Sequence, residues 1–442
     1  MIASKICSIT IALYLVSCLF SAVLVDSAKV KCDKKALKKE FNIDKQEFVV
    51  LLEHNKGSTS AASDDSENTA ILKQHLNFFK DCLDIDPKPL LDKNDGKIST
   101  KKTSPDTVLH FSGGNLFGYI GFFNPRLIEQ QIKSLPNIKL VEKVTEVKAF
   151  APVQNNGGST TVSTSFYDLD RIDQRDNKLN GKYTFPSSAG GNVNVYVVDT
   201  GINSKSKTEF GDRVRFGFFC SKCAPIDDNG HGSAVASVIG GSSFGVAKKV
   251  NLIAVKVLTA SGTGTSSDVI AGLLFVLNEH RANRNKNTVV NMSLGGGFSQ
   301  ALNNAVQTLT DAGIHVIVAA GNDAINACKV SPASTPSAIT VCATEKTSDS
   351  ITNFSNFGSC VDICAPGRNV PSLFLGTIPR ELSGTSLSSP LVAGAVALKI
   401  SAFGNLSPSK MAARLFSDST KNIITGLPAG TPNRFLFVSQ KR

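Results

Sequence analysis

Four polar residues stand where chemistry could be done: Asp199, His231, Asn322 and Ser386. Serine is a poor nucleophile at neutral pH and needs a base to take its proton. An imidazole can be that base, and a carboxylate can orient it and stabilise the imidazolium. Each residue alone has a structural reading as well. Asp199 ends the apolar run VYVVD before a turn glycine, where Asp commonly caps a turn. His231 sits between two glycines at the mouth of an apolar helix, Ser386 opens another as an N-cap would, and Asn322 in AAGNDA suits a turn. As a set they supply nucleophile, base and orienting carboxylate. The fourth supplies an amide donor for the charge that develops on a carbonyl oxygen under attack.

A carboxylate at the C-terminal end of a buried strand lies where open α/β sheets present their sites. From Phe166 onward the β-branched runs NVNVYVVD, VNLIAVKVL, TVVNMSL, IHVIVAAGN and AITVCAT alternate with helical stretches at 232–239, 267–281, 299–312 and 386–403. These runs are too apolar for strands with one wet face. Buried strands with helical crossovers predict an α/β fold, a parallel sheet covered on both faces.

Residues 28–150 read as a separate, small α+β unit: the strand EFVVLLE, a helix over 69–83, the hairpin VLHFSGGNLFGYIGFF, a proline-opened helix over 125–135 and one closing strand, IKLVEKVTEVKAF. Residues 151–165, APVQNNGGSTTVSTS, form a linker suited to a proteolytic cut. Ahead of them, Lys5 and the apolar run from Ile6 to Val25 read as a secretory leader over residues 1–27, with Val25 and Ser27 fitting a signal-peptidase site. The alternative is a bilayer anchor; the polar sequence that follows at once favours cleavage. The processed chain is expected to be free of the membrane, and either extracellular or in a vacuolar or lysosomal compartment.

Secretory entry gives the ten cysteines a meaning. Cys7 and Cys18 leave with the leader, Cys32 and Cys82 fall in the small unit, and six follow, so both remaining groups are even and fit disulfides. The CxxC at Cys220 and Cys223 could be redox-active or bind zinc; with no second CxxC nearby, a structural role is the expectation. The composition, 41% hydrophobic and 19% charged, excludes a polytopic membrane protein and a disordered chain. The excess of 47 basic over 36 acidic residues is spread thinly, without an Arg-rich run interleaved with aromatics, so no nucleic-acid partner is expected.

Beyond the four residues, the segments YDLDRIDQR, YVVDTGI, TEFGDRV, NGHGSAVASVIGG, VAKKVNLIAVKVL, VVNMSLGGG, AAGN, SPAS, FSNFGSCVDICAPG and SGTSLSSPLVAG follow one another across residues 166–405. In this order they resemble the subtilisin-like serine proteases of the proteinase K type, and EFVVLLE, GYIGFF and LPNIKLVEKVTEVKAF resemble that family's inhibitory pro-domain. The resemblance implies a subtilisin-like catalytic domain over 166–442 behind the pro-domain, with polypeptides as substrates. It implies a triad of Asp199, His231 and Ser386, and an oxyanion site from Asn322 and the Ser386 amide. Ser261, Gly262, Thr263 and Gly264 on one side and Ser293, Leu294 and Gly295 on the other would flank an extended substrate. It further implies a disulfide between Cys328 and Cys360, and a structural Ca²⁺ on the carbonyls of Pro336 and Ala338 with the carboxylate of Asp362, hard oxygen donors that suit this ion. No cofactor is needed for the chemistry, and a monomer held in check by its own pro-domain is expected.

The chain departs from the family pattern at Ser233, Ala234, Leu387, Ser388 and Leu391, none of them a proton-transfer group. Small residues around the site favour a bulky apolar side chain before the scissile bond. Two rival readings are a catalytically silent binding protein, opposed by the complete set of four residues, and a serine esterase, opposed by Ser388 at the second glycine place of a GxSxG elbow. Of the three N-x-S/T sequons, Asn291, Asn353 and Asn405, the first falls in a buried strand.

Overall fold

The computed structural model describes residues 44–53, 65–91, 107–113, 115–150, 166–375 and 378–438. The leader, Cys32 and the linker 151–165 lie outside the described residues.

Nine strands make the central sheet, in the spatial order Thr420–Lys421, Arg434–Phe435, Ile363–Pro366, Ile339–Thr344, His315–Ala319, Thr288–Met292, Asn194–Asp199, Asn251–Lys256 and Val214–Phe219. All neighbours pair in parallel except the two short strands at the C-terminal edge. Side chains alternate across a pleated strand. In Asn194–Asp199, Val195 and Val197 therefore enter one core cluster while Tyr196 and Val198 enter the other. The helices His231–Gly240 and Thr385–Phe403 cover the first face; Ser266–Ala282 and Gln300–Asp311 cover the second. Burial on both sides is why the strand sequences show no polar alternation. Thr385–Phe403 is long and apolar enough to cross a membrane, but it is a core helix, buried along most of its length. The edge strand Val214–Phe219 and the hairpin of Val370–Phe374 with Ile378–Leu382 add to the elements expected from sequence.

The N-terminal unit has its own five-stranded sheet, ordered Lys88–Pro89, Val108–Gly113, Leu116–Phe123, Gln46–Leu52 and Ile138–Lys143. One face buries Val50, Leu52, Phe117 and Tyr119 under the helix Asp65–Leu83. The other face presents Val49, Leu51 and Ile120 to a cluster that includes Leu274 and Leu277 of the main unit. Two expectations change here. The helix predicted over 125–135 starts as expected, with Pro125 in first place and the Asn124 side chain accepting the Arg126 N–H at 2.8 Å, but it ends at Gln130 and continues as the 3₁₀ turn Ile132–Ser134. The single closing strand is two. Ile138–Lys143 completes the small sheet, whereas Glu146–Ala149 leaves it to lie between Thr263–Thr265 and Leu294–Gly297 of the main unit, antiparallel to both.

Two carboxylates of the small unit meet helix N-termini of the large one, where the helix dipole favours negative charge. Glu142 accepts from the Ser299 hydroxyl and from the Gln300 N–H at 2.9 Å, at the start of Gln300–Asp311. Glu47 accepts from the Ser267 hydroxyl at 2.9 Å, at the start of Ser266–Ala282.

His75 is buried within the small unit, with Nε2 2.7 Å from the Pro136 carbonyl and Nδ1 3.3 Å from the Tyr119 hydroxyl. Burial holds its pKa below the ordinary 6.5, opposed only in part by the Pro136 carbonyl, so the folded unit keeps the ring neutral. Stability present above the unfolded value is then lost as the pH falls through it. Amide-exchange protection of Asp65–Leu83 is expected to drop from about pH 7 to about pH 5, and to drop much less in His75→Gln.

Candidate active site

The four polar residues converge on the C-terminal ends of the parallel strands. Asp199 is the last residue of its strand, His231 opens the helix His231–Gly240, Asn322 follows His315–Ala319, and Ser386 is the second residue of Thr385–Phe403. Gly230 precedes His231 with φ +104°, a left-handed conformation that turns the chain into the helix and that glycine adopts without strain.

His231 Nδ1 lies 2.7 Å from Asp199 Oδ1, and both side chains are buried. Burial alone would favour the neutral imidazole. The Asp199 carboxylate beside it, with Asp227 behind, outweighs burial and holds the His231 pKa above the ordinary value. Asp227 organises the approach to the histidine. Its Oδ1 accepts from the Thr200 hydroxyl at 2.9 Å and the Gly230 N–H at 2.8 Å, and its Oδ2 from the Ser233 N–H at 2.9 Å and the Ser233 hydroxyl at 2.6 Å. Ser233, one of the departures from the family pattern, is thus bonded into this network.

Ser386 is fully buried, and its hydroxyl donates to the Phe150 carbonyl oxygen at 2.8 Å rather than to the imidazole. His231 Nε2 makes no hydrogen bond of good geometry among the described residues, although the Phe150 carbonyl is near enough to help raise its pKa, and Asn322 Nδ2 is likewise unbonded. The Asn322 amide is aimed by Thr385, whose N–H and hydroxyl donate to Asn322 Oδ1 at 2.9 and 2.8 Å, leaving Nδ2 free to donate. A methyl group built on Gly384 would come within 3.0 Å of Asn322 Nδ2, 3.7 Å of Ser386 N and 3.8 Å of the Phe150 oxygen. Two donors and one carbonyl oxygen therefore face a common small space that the glycine keeps open.

The two segments expected to flank a substrate flank a strand of the chain itself. Thr263 pairs with Lys148 and Gly264 with Val147 on one side; Leu294 pairs with Ala149 and Gly295 with Lys148 on the other. The Ala149 N–H donates to the Gly262 carbonyl at 2.8 Å and the Phe150 N–H to the Ser293 carbonyl at 3.3 Å. The Ser261 side chain bonds the hydroxyls of Thr259 and Thr263, within its own loop. The Phe150 ring enters a pocket walled by glycine: a Cβ on Gly295 would meet the ring at 2.3 Å, and one on Gly321 would lie 3.5 Å from it.

Sequence reasoning passed over Phe150, Thr385, Asp227 and Asn356, the last of which accepts from the Asp323 and Ile325 N–H groups at 3.1 and 3.0 Å and so shapes the turn that carries Asn322. Only Phe150 had a usable signal, an aromatic ending an alternating strand next to the linker.

Cys328 and Cys360 lie at disulfide distance, as do Cys220 with Cys223 and Cys342 with Cys364. Asp362 Oδ2 accepts from the Thr340 N–H at 2.9 Å. Burial pushes the Asp362 pKa up to about 6, with Arg434 opposing. This carboxylate and the carbonyls of Pro336 and Ala338 are oxygen donors of the kind a hard cation takes. No cluster of three or more His, Cys, Asp or Glu side chains occurs among the described residues.

The profile of the Subtilase family, peptidase S8, matches residues 190–435. The subtilisin-like serine protease AsES of Sarocladium strictum is 39% identical over 329 residues, which are 74% of this chain and 82% of that protein. An extracellular serine proteinase of a Thermus species (strain Rt41A) is 42% identical over 311 residues, 70% of this chain and 72% of the relative. The crystal structure of a cold adapted subtilisin-like serine proteinase superposes with a TM-score of 0.59 at 41% identity, covering 63% of this chain and all of that one. A parallel sheet carrying these residues at its strand ends, together with likeness over most of the chain, gives one conclusion: the chain belongs to the subtilase family and is a serine endopeptidase.

Proposed function

We propose that the chain is a secreted zymogen whose Asp199, His231 and Ser386 form the catalytic triad, and whose pro-domain occupies the cleft until it is cut. The observation that carries this reading is the Phe150 carbonyl oxygen 2.8 Å from Ser386 Oγ, at the end of a strand paired on both sides. Such pairing holds a peptide by its main chain, largely independently of sequence.

In the reaction, the Ser386 hydroxyl gives its proton to His231 Nε2 as Oγ bonds the substrate carbonyl carbon. Asn322 Nδ2 and the Ser386 N–H stabilise the resulting oxyanion. The imidazolium, held by Asp199, passes its proton to the leaving amine, and the acyl-enzyme forms. Water then enters by the same route in reverse, His231 taking its proton and returning one to Oγ. Cutting after Phe150 puts the processing site at the Phe150–Ala151 bond, the edge of the linker rather than its interior. Labelling with a fluorophosphonate serine probe, with intact-mass analysis of the purified chain, tests the reading. An adduct on Ser386 and a new amino terminus at Ala151 are expected. Failure to label a folded, processed chain would overturn it.

The same pocket accounts for an apolar preference at the residue before the scissile bond. Gly295→Val is expected to lower kcat/KM for a Phe-ending peptide by about 10–200-fold, the range for a pocket altered by small groups, while an Ala-ending peptide is spared. Equal losses on both peptides would argue against this pocket.

We assign a structural Ca²⁺ to the carbonyls of Pro336 and Ala338 with Asp362, where a cation would offset the burial of that carboxylate. Calcium is expected to raise the Tm of the wild type and not that of Asp362→Asn; equal increments would refute the site.

A further inference from the structure

Lys256 is the last residue of Asn251–Lys256 and the register neighbour of Asp199 on the adjacent strand. Its side chain is wholly buried, yet charged. The ammonium donates to the Thr200 carbonyl and to Asp228 Oδ1, the latter at 2.6 Å. A buried ammonium is costly unless paired, and an apolar side chain of similar volume often serves a core at least as well. What the charge adds is a tie between two particular segments.

Each of those segments holds part of the triad. The Thr200 N–H donates to Asp199 Oδ1 at 2.7 Å, and the Thr200 hydroxyl accepts the Gly232 N–H at 2.9 Å. Asp228 lies in the loop in which Asn229 Oδ1 accepts the His231 N–H at 3.1 Å. Asp227 joins the strand end to this loop by one route, through Thr200; the Lys256–Asp228 pair joins them by another.

We infer that Lys256, paired with Asp228, is a positioning residue that sets the loop bearing His231 against the strand end bearing Asp199. The inference rests on the triad reading above. The charged groups facing His231 are Asp199 from its strand and Asp227 from the loop, while Lys256 and Asp228 form a separate pair whose charges offset each other. Breaking the pair from either side should therefore misplace the base. The residual charge left behind has opposite sign in the two cases.

The test is Lys256→Met and Asp228→Asn in the full chain, matured and counted by fluorophosphonate titration of competent sites. Both are expected to lower kcat per site by about 10–100-fold, the scale of small misplacements in a catalytic site, with KM little changed. The acid limb of kcat/KM should move to higher pH in Lys256→Met, where a carboxylate is left, and to lower pH in Asp228→Asn, where an ammonium is left. Unchanged kcat per titrated site, or limbs that move in the same direction, would overturn the inference. Should Lys256→Met fail to fold, Asp228→Asn, whose carboxylate is 28% exposed, carries the test alone through its kcat and its limb. Ser386→Ala separates the two levels: turnover near that of the wild type there sinks the triad reading. An inactive Ser386→Ala beside normal Lys256 and Asp228 variants sinks only this inference.

Discussion

Ser386→Ala is expected to stay at the mass of the uncut chain and to lose about 10⁶-fold in peptidase turnover, the scale known from subtilisin itself. The physical reason is that Oγ, the hydroxyl oxygen against the Phe150 carbonyl, is the nucleophile the proposed reaction needs to bond the carbonyl carbon, and a methyl group cannot replace it. Asp199→Asn should lose about 10⁴-fold, because an amide facing Nδ1 no longer fixes the imidazole in the tautomer that leaves Nε2 free to accept. It carries a second signature. The base must be neutral, so activity falls as the pH drops through the His231 pKa. Asp199 holds that pKa above the ordinary value against burial, so its removal should move the acid limb of the residual activity to lower pH. Active-site titration before each assay keeps folding losses out of the comparison. An Asp199→Asn enzyme with wild-type kcat would refute the assignment of the base.

The second large effect belongs to Asn322. Its amide nitrogen is buried without a partner among the described residues while its oxygen is held by Thr385. An unpaired buried donor costs free energy in the resting protein, and in the proposed reaction an oxyanion formed in front of it would recover that cost. Asn322→Ala is therefore expected to lower kcat by about 10²–10³-fold, the cost established for subtilisin, with KM nearly unchanged because the ground-state carbonyl gains little from this donor. A rise in KM at constant kcat would mean that Asn322 binds substrate rather than the transition state. Thr385→Val, which removes only the hydroxyl that aims the amide, should produce a smaller loss of the same kind.

The order of layers was legible from sequence because double burial leaves strands such as VYVVD with no polar alternation, and because helix caps are local. Thr265 and Ser299 accept the Asp268 and Leu302 N–H groups three residues on, at 3.2 and 3.1 Å. Short motifs likewise marked Asp199, His231, Asn322 and Ser386, since glycine and small residues crowd around them in the chain. The 3₁₀ turn after Gln130 was not legible, because three residues are too few to carry a period.

The α/β layering and the family likeness could thus be read from the chain, and so could the candidacy of the four polar residues, because all of these rest on neighbours close in sequence or on motif order. Long-range contacts settle the rest: Glu146–Ala149 deserts its own sheet for the cleft, Phe150 fills a pocket between Gly295 and Gly321, and Thr385 and Asp227 bond to Asn322 and to Thr200. These contacts join residues far apart in the chain, as from Phe150 to Ser386. Pairing an edge strand with one sheet or another is settled by which long-range partners remain unbonded, and local sequence does not carry that information.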